Sequence, residues 1–171
     1  MANIILIGFM GSGKTTIGFR LARALGWQFV DTDDKIEKLT GTTVTQIFKK
    51  HGEIRFRSEE KLMVQKVAAL DKTVIATGGG VPTFEGNVTV LKKNGIVIWL
   101  KAAPEIVLDR IGKSRNRPLL RKYRDLDQVK GLVEERARFY EAAADLTIDT
   151  GDKTHDQIVG EIINSLRGKL S

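Results

Sequence analysis

The stretch "GFMGSGKTT", residues 8–16, follows directly on an apolar run from Asn3 to Ile7 and leads into a segment with helical spacing. Three glycines in nine residues are a poor way to begin a helix, because glycine loses more conformational freedom on folding than any other residue. The pattern supplies a reason for them. Gly8 to Thr15 fits G-x-x-x-x-G-K-[ST] without a gap. Successive backbone N–H groups in such a turn point inward and form a nest for an anion. The helix beginning at Gly13-Lys14 adds its own free N–H groups and its dipole. Side chains at Gly11 and Gly13 would obstruct a phosphate, Lys14 can reach the β and γ phosphates, and the Thr15 hydroxyl can ligate Mg²⁺. An ordinary glycine-rich turn is the competing reading. The strand before and the helix after are the context that favours the phosphate cradle.

Outward from this loop, strand-like and helix-like segments alternate. Asn3–Ile7 reads as a buried strand and Lys14–Leu25 as a helix closed by Gly26. "WQFVDTD" reads as a second strand, Asp34–Leu39 as a short helix stopped by Gly41, and residues 43–69 as helices interrupted near "HGE" at 51–53. "TVIATGGG" is a third strand, Thr83–Asn94 a helix, and "GIVIWLKA" a fourth strand. Pro104 suits the first turn of a helix reaching Ile111. Residues 113–124 lack periodicity and read as a mobile loop; Leu126–Ala144 is a helix, "LTIDT" a fifth strand and Thr154–Leu166 a terminal helix. Near-continuous apolar runs imply strands covered on both faces, so the expectation is an α/β domain with a parallel five-stranded sheet.

A hydrophobic share of 42% in 171 residues supports a sizeable core in one domain and argues against disorder. The absence of cysteine excludes disulfides, thiolate metal sites and a cysteine nucleophile. The apolar run at the N-terminus is too short to span a membrane and has no basic segment before it, so the expectation is a soluble cytoplasmic protein. The formal charge of +7 fits either a nucleic-acid binder or an enzyme with polyanionic ligands. Its distribution favours the second, because "RIGKSRNRPLLRKYR" at 110–124 concentrates seven basic residues and only one aromatic in one short loop.

Ligands of open α/β sheets bind outside the carboxyl ends of the strands. Asp31 and Asp33 lie at the end of the second strand, where alternation puts them on one side. One could orient Mg²⁺ through water and the other accept a proton from a phosphoryl acceptor. Equally, Asp31, Thr32 or Asp33 could cap the next helix. Gly78, Gly79 and Gly80 follow the third strand and offer bare backbone to a ligand. Arg117 sits in the basic loop, from which closure over ATP could bring a cation to the γ-phosphate. Arg57 and Arg136 read equally well as solvated surface charges. His51 and His155 lack metal-ligand spacing and read as surface residues, while Trp27 and Trp99 read as packing in or beside strands.

Taken together, the chain closely resembles the shikimate kinases over essentially its whole length. The resemblance rests on "GFMGSGKTT" at 8–16, "FVDTDDKIE" at 29–37, "FRSEE" at 56–60, "TGGG" at 77–80, "NRPLL" at 116–120 and "ERARFYEAAAD" at 135–145. It implies a three-layer α/β/α P-loop kinase fold with sheet order 2-3-1-4-5, a substrate-binding helical region at about 32–60 and a mobile lid at about 112–124. The implied reaction is Mg²⁺-dependent transfer of the ATP γ-phosphate to the 3-hydroxyl of shikimate, in aromatic amino acid biosynthesis. The implied ATP contacts are Gly11, Ser12, Gly13, Lys14, Thr15, Thr16, Arg110 and Arg117, with Thr15 and Asp31 serving Mg²⁺. Asp33 would bind the reactive hydroxyl and act as base, Arg57 and Arg136 would clamp the carboxylate, and Gly79 and Gly80 would add backbone contacts. Lys14 and Arg117 would stabilise the transferred phosphoryl, and Glu60 would direct the arginines. The resemblance also suggests a monomer without nucleic-acid or membrane partners. Two alternatives stand beside it: a related small-metabolite kinase, such as a gluconate kinase, and an ATP-dependent binding module with nucleic acid on its basic loop.

Overall fold

The computed structural model describes residues 2–112 and 126–170. The elements follow in the order β1 (Asn3–Ile7), α1 (Lys14–Leu25), β2 (Gln28–Asp31), α2 (Thr32–Thr40), α3 (Val44–Ala68), β3 (Thr73–Ala76), α4 (Glu85–Lys92), β4 (Gly95–Lys101), α5 (Pro104–Gly112), α6 (Leu126–Ala143), β5 (Leu146–Asp149) and α7 (His155–Leu166). A 3-10 turn at Val81–Thr83 precedes α4. The strands form one parallel sheet in the order β2-β3-β1-β4-β5, the architecture that the sequence led us to expect. No helix among the described residues is long and apolar enough to cross a membrane.

The two-residue period of the strands divides the core in two. Ile5 and Ile7 of β1 join Ile75, Val97 and Trp99 in a cluster with Val64 of α3, Leu91 of α4 and Tyr140 of α6. Ile4 and Leu6 join Val74, Ile98 and Leu100 in a second cluster with Ile17 and Leu21 of α1 and Ile158 and Ile162 of α7. The register sets Ile5 beside Ile75 on one side and Val97 on the other. Each such side chain contributes about 1.5–3 kcal/mol through burial, which anchors β1 at the centre of the sheet. In β2 and β5 only Val30 and Ile148 are fully buried, as befits the two edges.

Two regions depart from the sequence expectation by more than one residue. The second strand stops at Asp31, and α2 begins two residues earlier than expected. The cause is the Asp31 carboxylate, whose Oδ1 accepts hydrogen bonds from the N–H groups of Asp33 (3.0 Å) and Asp34 (3.2 Å). Asp33 therefore belongs to the first turn of a helix, not to the strand. The helix expected over 83–94 divides into the 3-10 turn and α4, because Pro82 and the Thr83 Oγ1 bond to Gly80 O (2.6 Å) tighten the chain first. As expected, α3 is broken near 51–53, at Gly52, where φ is 81°.

Candidate active site

Three strand ends build the site. The loop after β1, Asp31 at the end of β2 and residues 77–80 after β3 open onto one cleft of about 560 Å³. Gly11 (φ 79°) and Gly13 (φ 94°) adopt left-handed backbone that side chains with a Cβ rarely accept. This is a firmer reason for the two glycines than simple clearance for a phosphate. Gly13 is also the N-cap of α1, and no side chain caps that end, so the first N–H groups of the helix remain available to an anion. Ser12 is buried in the loop, and its Oγ has no hydrogen-bond partner among the described residues.

The Lys14 ammonium crosses back over the loop, donating to Gly8 O (2.7 Å) and Phe9 O (3.0 Å). From α5, Arg110 reaches the same loop and donates to Gly11 O at 2.6 Å. Two cations thus border the amide nest. Thr16 is exposed at the cleft wall. Arg117, the expected third cation, lies outside the described residues.

Asp31 caps α2, one of the two readings left open by the sequence, and still turns an oxygen towards the phosphate loop. Its Oδ1 caps α2, while its Oδ2 accepts the Thr15 hydroxyl at 2.7 Å. The two expected Mg²⁺ partners are therefore neighbours, and both offer hard oxygen donors suited to that ion. No group of three acidic, histidine or cysteine side chains placed to hold a metal ion by itself occurs among the described residues. Two protein oxygens suit a cation that keeps water and phosphate oxygens for its remaining positions.

On the other side of the cleft, Arg57 of α3 donates through Nη1 to Glu60 Oε1 at 2.8 Å. Its contact to exposed Glu53 is longer, at 3.5 Å. Its guanidinium carbon lies 5.4 Å from the Phe56 ring centre and 5.6 Å from that of Phe84, within reach of a cation–π contact with each. The Nε of Arg57 has no hydrogen-bond partner among the described residues. Arg136 of α6 lies over Phe9, 5.5 Å from the ring centre. A methyl group on Gly80 would overlap the Arg57 guanidinium, and one on Gly79 would lie 3.0 Å from Arg136 Nη1. A side chain at either position would press on a guanidinium, so glycine there leaves both arginines in their present places.

Glu60 is 1% exposed, and its ion pair with Arg57 offsets much of the cost of that burial. Burial pushes its carboxyl above the ordinary range, and the nearby Asp33 charge adds to the rise. Arg57, by charge and hydrogen bond, and Arg136 pull in the opposite direction. Asp33 Oδ1 and Glu60 Oε2 lie 2.9 and 3.0 Å from where a Cβ on Gly78 would stand, so two carboxylates flank that glycine. Thr32, fully buried, accepts from Gly78 N–H at 3.1 Å and ties the turn to the base of α2.

Every expected site residue within the described part of the chain other than Ser12 lines the cleft; Ser12 lies buried beneath it. Sequence reasoning missed its apolar wall. Phe48 and Phe56 face one another at 4.8 Å between ring centres, with Met10 and Val44 beside them in the cleft. The break at Gly52 hides the periodicity that would have paired the two rings. His155, expected at the surface, is half-buried and lines the cleft from the start of α7. Trp99 packs in the core against Tyr140, as expected, at 5.8 Å between ring centres.

A family model described as shikimate kinase matches residues 10–167. The chain belongs to the shikimate kinase family. A shikimate kinase from Pelotomaculum thermopropionicum is 48% identical over 167 residues, which cover 98% of this chain and 96% of that one. The solved structure of a shikimate kinase from Acinetobacter baumannii in complex with shikimate superposes with a TM-score of 0.94 at 36% identity, covering 99% of this chain and 94% of that one. The shikimate kinase from Aquifex aeolicus gives a TM-score of 0.85 at 38% identity, with 98% and 97% coverage. The membership carries an ATP-dependent kinase activity with it. The sheet order and helices found here are those of the P-loop kinase fold of these enzymes.

Proposed function

We propose that the chain transfers the γ-phosphate of ATP to the 3-hydroxyl of shikimate, giving shikimate 3-phosphate and ADP. The observation that carries this reading is the division of one cleft into two halves. The amide nest with Lys14 and Arg110 forms one half, and the Arg57–Arg136 pair forms the other. A triphosphate suits the first half and a small carboxylic acid the second. Guanidinium forks match a carboxylate with two parallel hydrogen bonds, which explains arginine over lysine at both positions.

In this reading Arg57 and Arg136 hold the shikimate carboxylate, and the Gly79 and Gly80 backbone adds contacts. Asp33 orients the 3-hydroxyl. That oxygen attacks the γ-phosphorus as the bond to the β–γ bridging oxygen breaks, the hydroxyl proton passes to the Asp33 carboxylate, and ADP leaves with the bridging oxygen. Phosphoryl transfer needs position and charge neutralisation more than covalent help. Gly11, Ser12, Gly13, Thr15 and Thr16 surround the phosphates, while Lys14 and, from the lid at about 112–124, Arg117 neutralise charge on the moving group. Thr15 and Asp31 would hold Mg²⁺, which when bound neutralises charge on the β and γ oxygens. The helical region at about 32–60 is the acceptor side of a single domain. We read the protein as a cytoplasmic monomer acting on small molecules, with neither nucleic acid nor membrane as partner; a cleft sized for small ligands supports the small-molecule part of that reading.

A coupled assay of ADP release tests the proposal. Release should require both shikimate and Mg²⁺. Turnover of gluconate or another small alcohol in the same assay, with none on shikimate, would refute it.

A further inference from the structure

Tyr140 takes no part in the reading above, yet it is among the largest fully buried side chains of the protein. Its ring packs against Trp99, and its hydroxyl donates to Gly79 O at 2.8 Å. Burial pushes the phenol up to about 12, against an opposing pull from Arg136 one turn earlier on α6. The hydroxyl is therefore protonated throughout the working range and can serve as a lasting donor to that carbonyl. A polar atom placed this deep normally has a structural or functional reason.

The geometry of one peptide unit supplies the reason. Gly79 C=O and Gly80 N–H belong to the same planar trans peptide, so they point in opposite directions. Anchoring the carbonyl towards α6 turns the N–H away from α6. Neither the Gly79 nor the Gly80 N–H finds an acceptor among the described residues, and both glycines line the cleft. Glycine offers no side-chain packing of its own to hold such a plane, and the preceding unit, Gly78–Gly79, is already fixed by the Val81 N–H bond to Gly78 O at 3.1 Å.

We propose that Tyr140 is a positioning residue for the acceptor substrate. By holding the Gly79 carbonyl it aims the Gly80 N–H into the half of the cleft that Arg57 and Arg136 border. It also couples that donor to α6, the helix that carries Arg136, so the backbone and guanidinium contacts move as one unit. This rests on the shikimate-site reading given above.

Tyr140→Phe tests it, because the ring and its packing on Trp99 remain and only the donor is lost. Loss of one orienting hydrogen bond should raise the shikimate dissociation constant about 5- to 10-fold. The ADP dissociation constant and the melting temperature should stay close to wild type. With glycine-selective ¹⁵N labelling, the shikimate-induced shift of the Gly80 amide should shrink in the variant. Unchanged shikimate affinity overturns the proposal. So does a parallel loss of both affinities with a large fall in melting temperature, which marks a merely structural side chain. Arg136→Ala, measured alongside, separates the two levels. Wild-type protein that fails to bind shikimate, or an Arg136→Ala variant that binds it normally, overturns the site reading itself. Wild-type protein that binds shikimate and an Arg136→Ala variant that does not, with Tyr140→Phe unmoved, overturn only the role of Tyr140.

Discussion

Replacing Arg57 by alanine should produce two separable defects. The first is in binding: removing one fork of the carboxylate clamp should weaken shikimate by about 2–5 kcal/mol, while ADP affinity is kept. The second is in stability. Arg57 is the charge partner of Glu60 at 2.8 Å, and Glu60 is 1% exposed. Breaking such a pair from one side leaves a buried, uncompensated carboxylate, at about 3–5 kcal/mol when that group stays ionised. The contact to Glu53 adds little, since that side chain is 65% exposed. Burial already raises the Glu60 carboxyl above its ordinary range, and without Arg57 it rises further; the Asp33 charge adds to the rise and Arg136 alone still opposes it. The folded state then binds a proton more tightly than the unfolded chain. Stability is retained at pH values below the unfolded carboxyl range and is lost as pH rises through the folded value. Urea unfolding should therefore show a deficit in Arg57→Ala that is small near pH 5 and large near pH 8. Adding Glu60→Gln should restore stability at pH 8, because a neutral amide needs no counter-charge, while calorimetry should find shikimate binding as poor as before. A deficit independent of pH, or restored shikimate affinity in the double variant, would refute the reasoning.

Other substitutions probe the remaining parts. Asp33→Asn should reduce turnover about 10²- to 10⁴-fold, as expected for loss of a positioned base, with shikimate affinity by calorimetry changing far less. Thr15→Val removes the hydroxyl bonded to Asp31, and the Mg²⁺ concentration for half-maximal rate should rise on the order of 10-fold or more. Asp31→Asn keeps a carbonyl oxygen for the α2 cap, so its melting curve should resemble wild type while its Mg²⁺ requirement rises; Asp31→Ala should also lose about 1 kcal/mol of stability. Gly80→Ala places a methyl against the Arg57 guanidinium, and titration should show shikimate affinity falling with ADP affinity intact.

The fold was legible because its evidence is local. A glycine-rich phosphate pattern between an apolar run and a helix-period segment fixes one βα unit, and the other apolar runs repeat it. Boundaries were harder where one side chain serves two elements. "VDTD" reads as a strand with alternating carboxylates until the Asp31 cap ends it, a competition between ladder and cap that residue types alone do not decide. The acceptor side was the least legible from residues alone. Arg57 and Arg136 are 79 positions apart in the chain, and each looks like an ordinary helix-surface charge. Only the fold brings them to adjacent glycines, Arg57 to Gly80 and Arg136 to Gly79. Only the resemblance to a family pointed to them in advance. The Phe48–Phe56 pair stayed hidden because the break at Gly52 resets the helical phase on which a search for apolar faces depends.

The geometry of Asp31 links the two halves of the cleft. One oxygen is shared with Thr15, on the nucleotide side, and the other holds the N–H of Asp33 itself. A carboxylate is planar and rigid, so a shift that re-aims Oδ2 towards a cation must also move Oδ1 and the first turn of α2 resting on it. That turn carries both Asp33 and Thr32, and Thr32 in turn holds the Gly78 N–H at the head of the glycine turn. A short chain of hydrogen bonds thus runs from the start of α1 through Asp31 and Thr32 to the backbone beside Arg57 and Arg136.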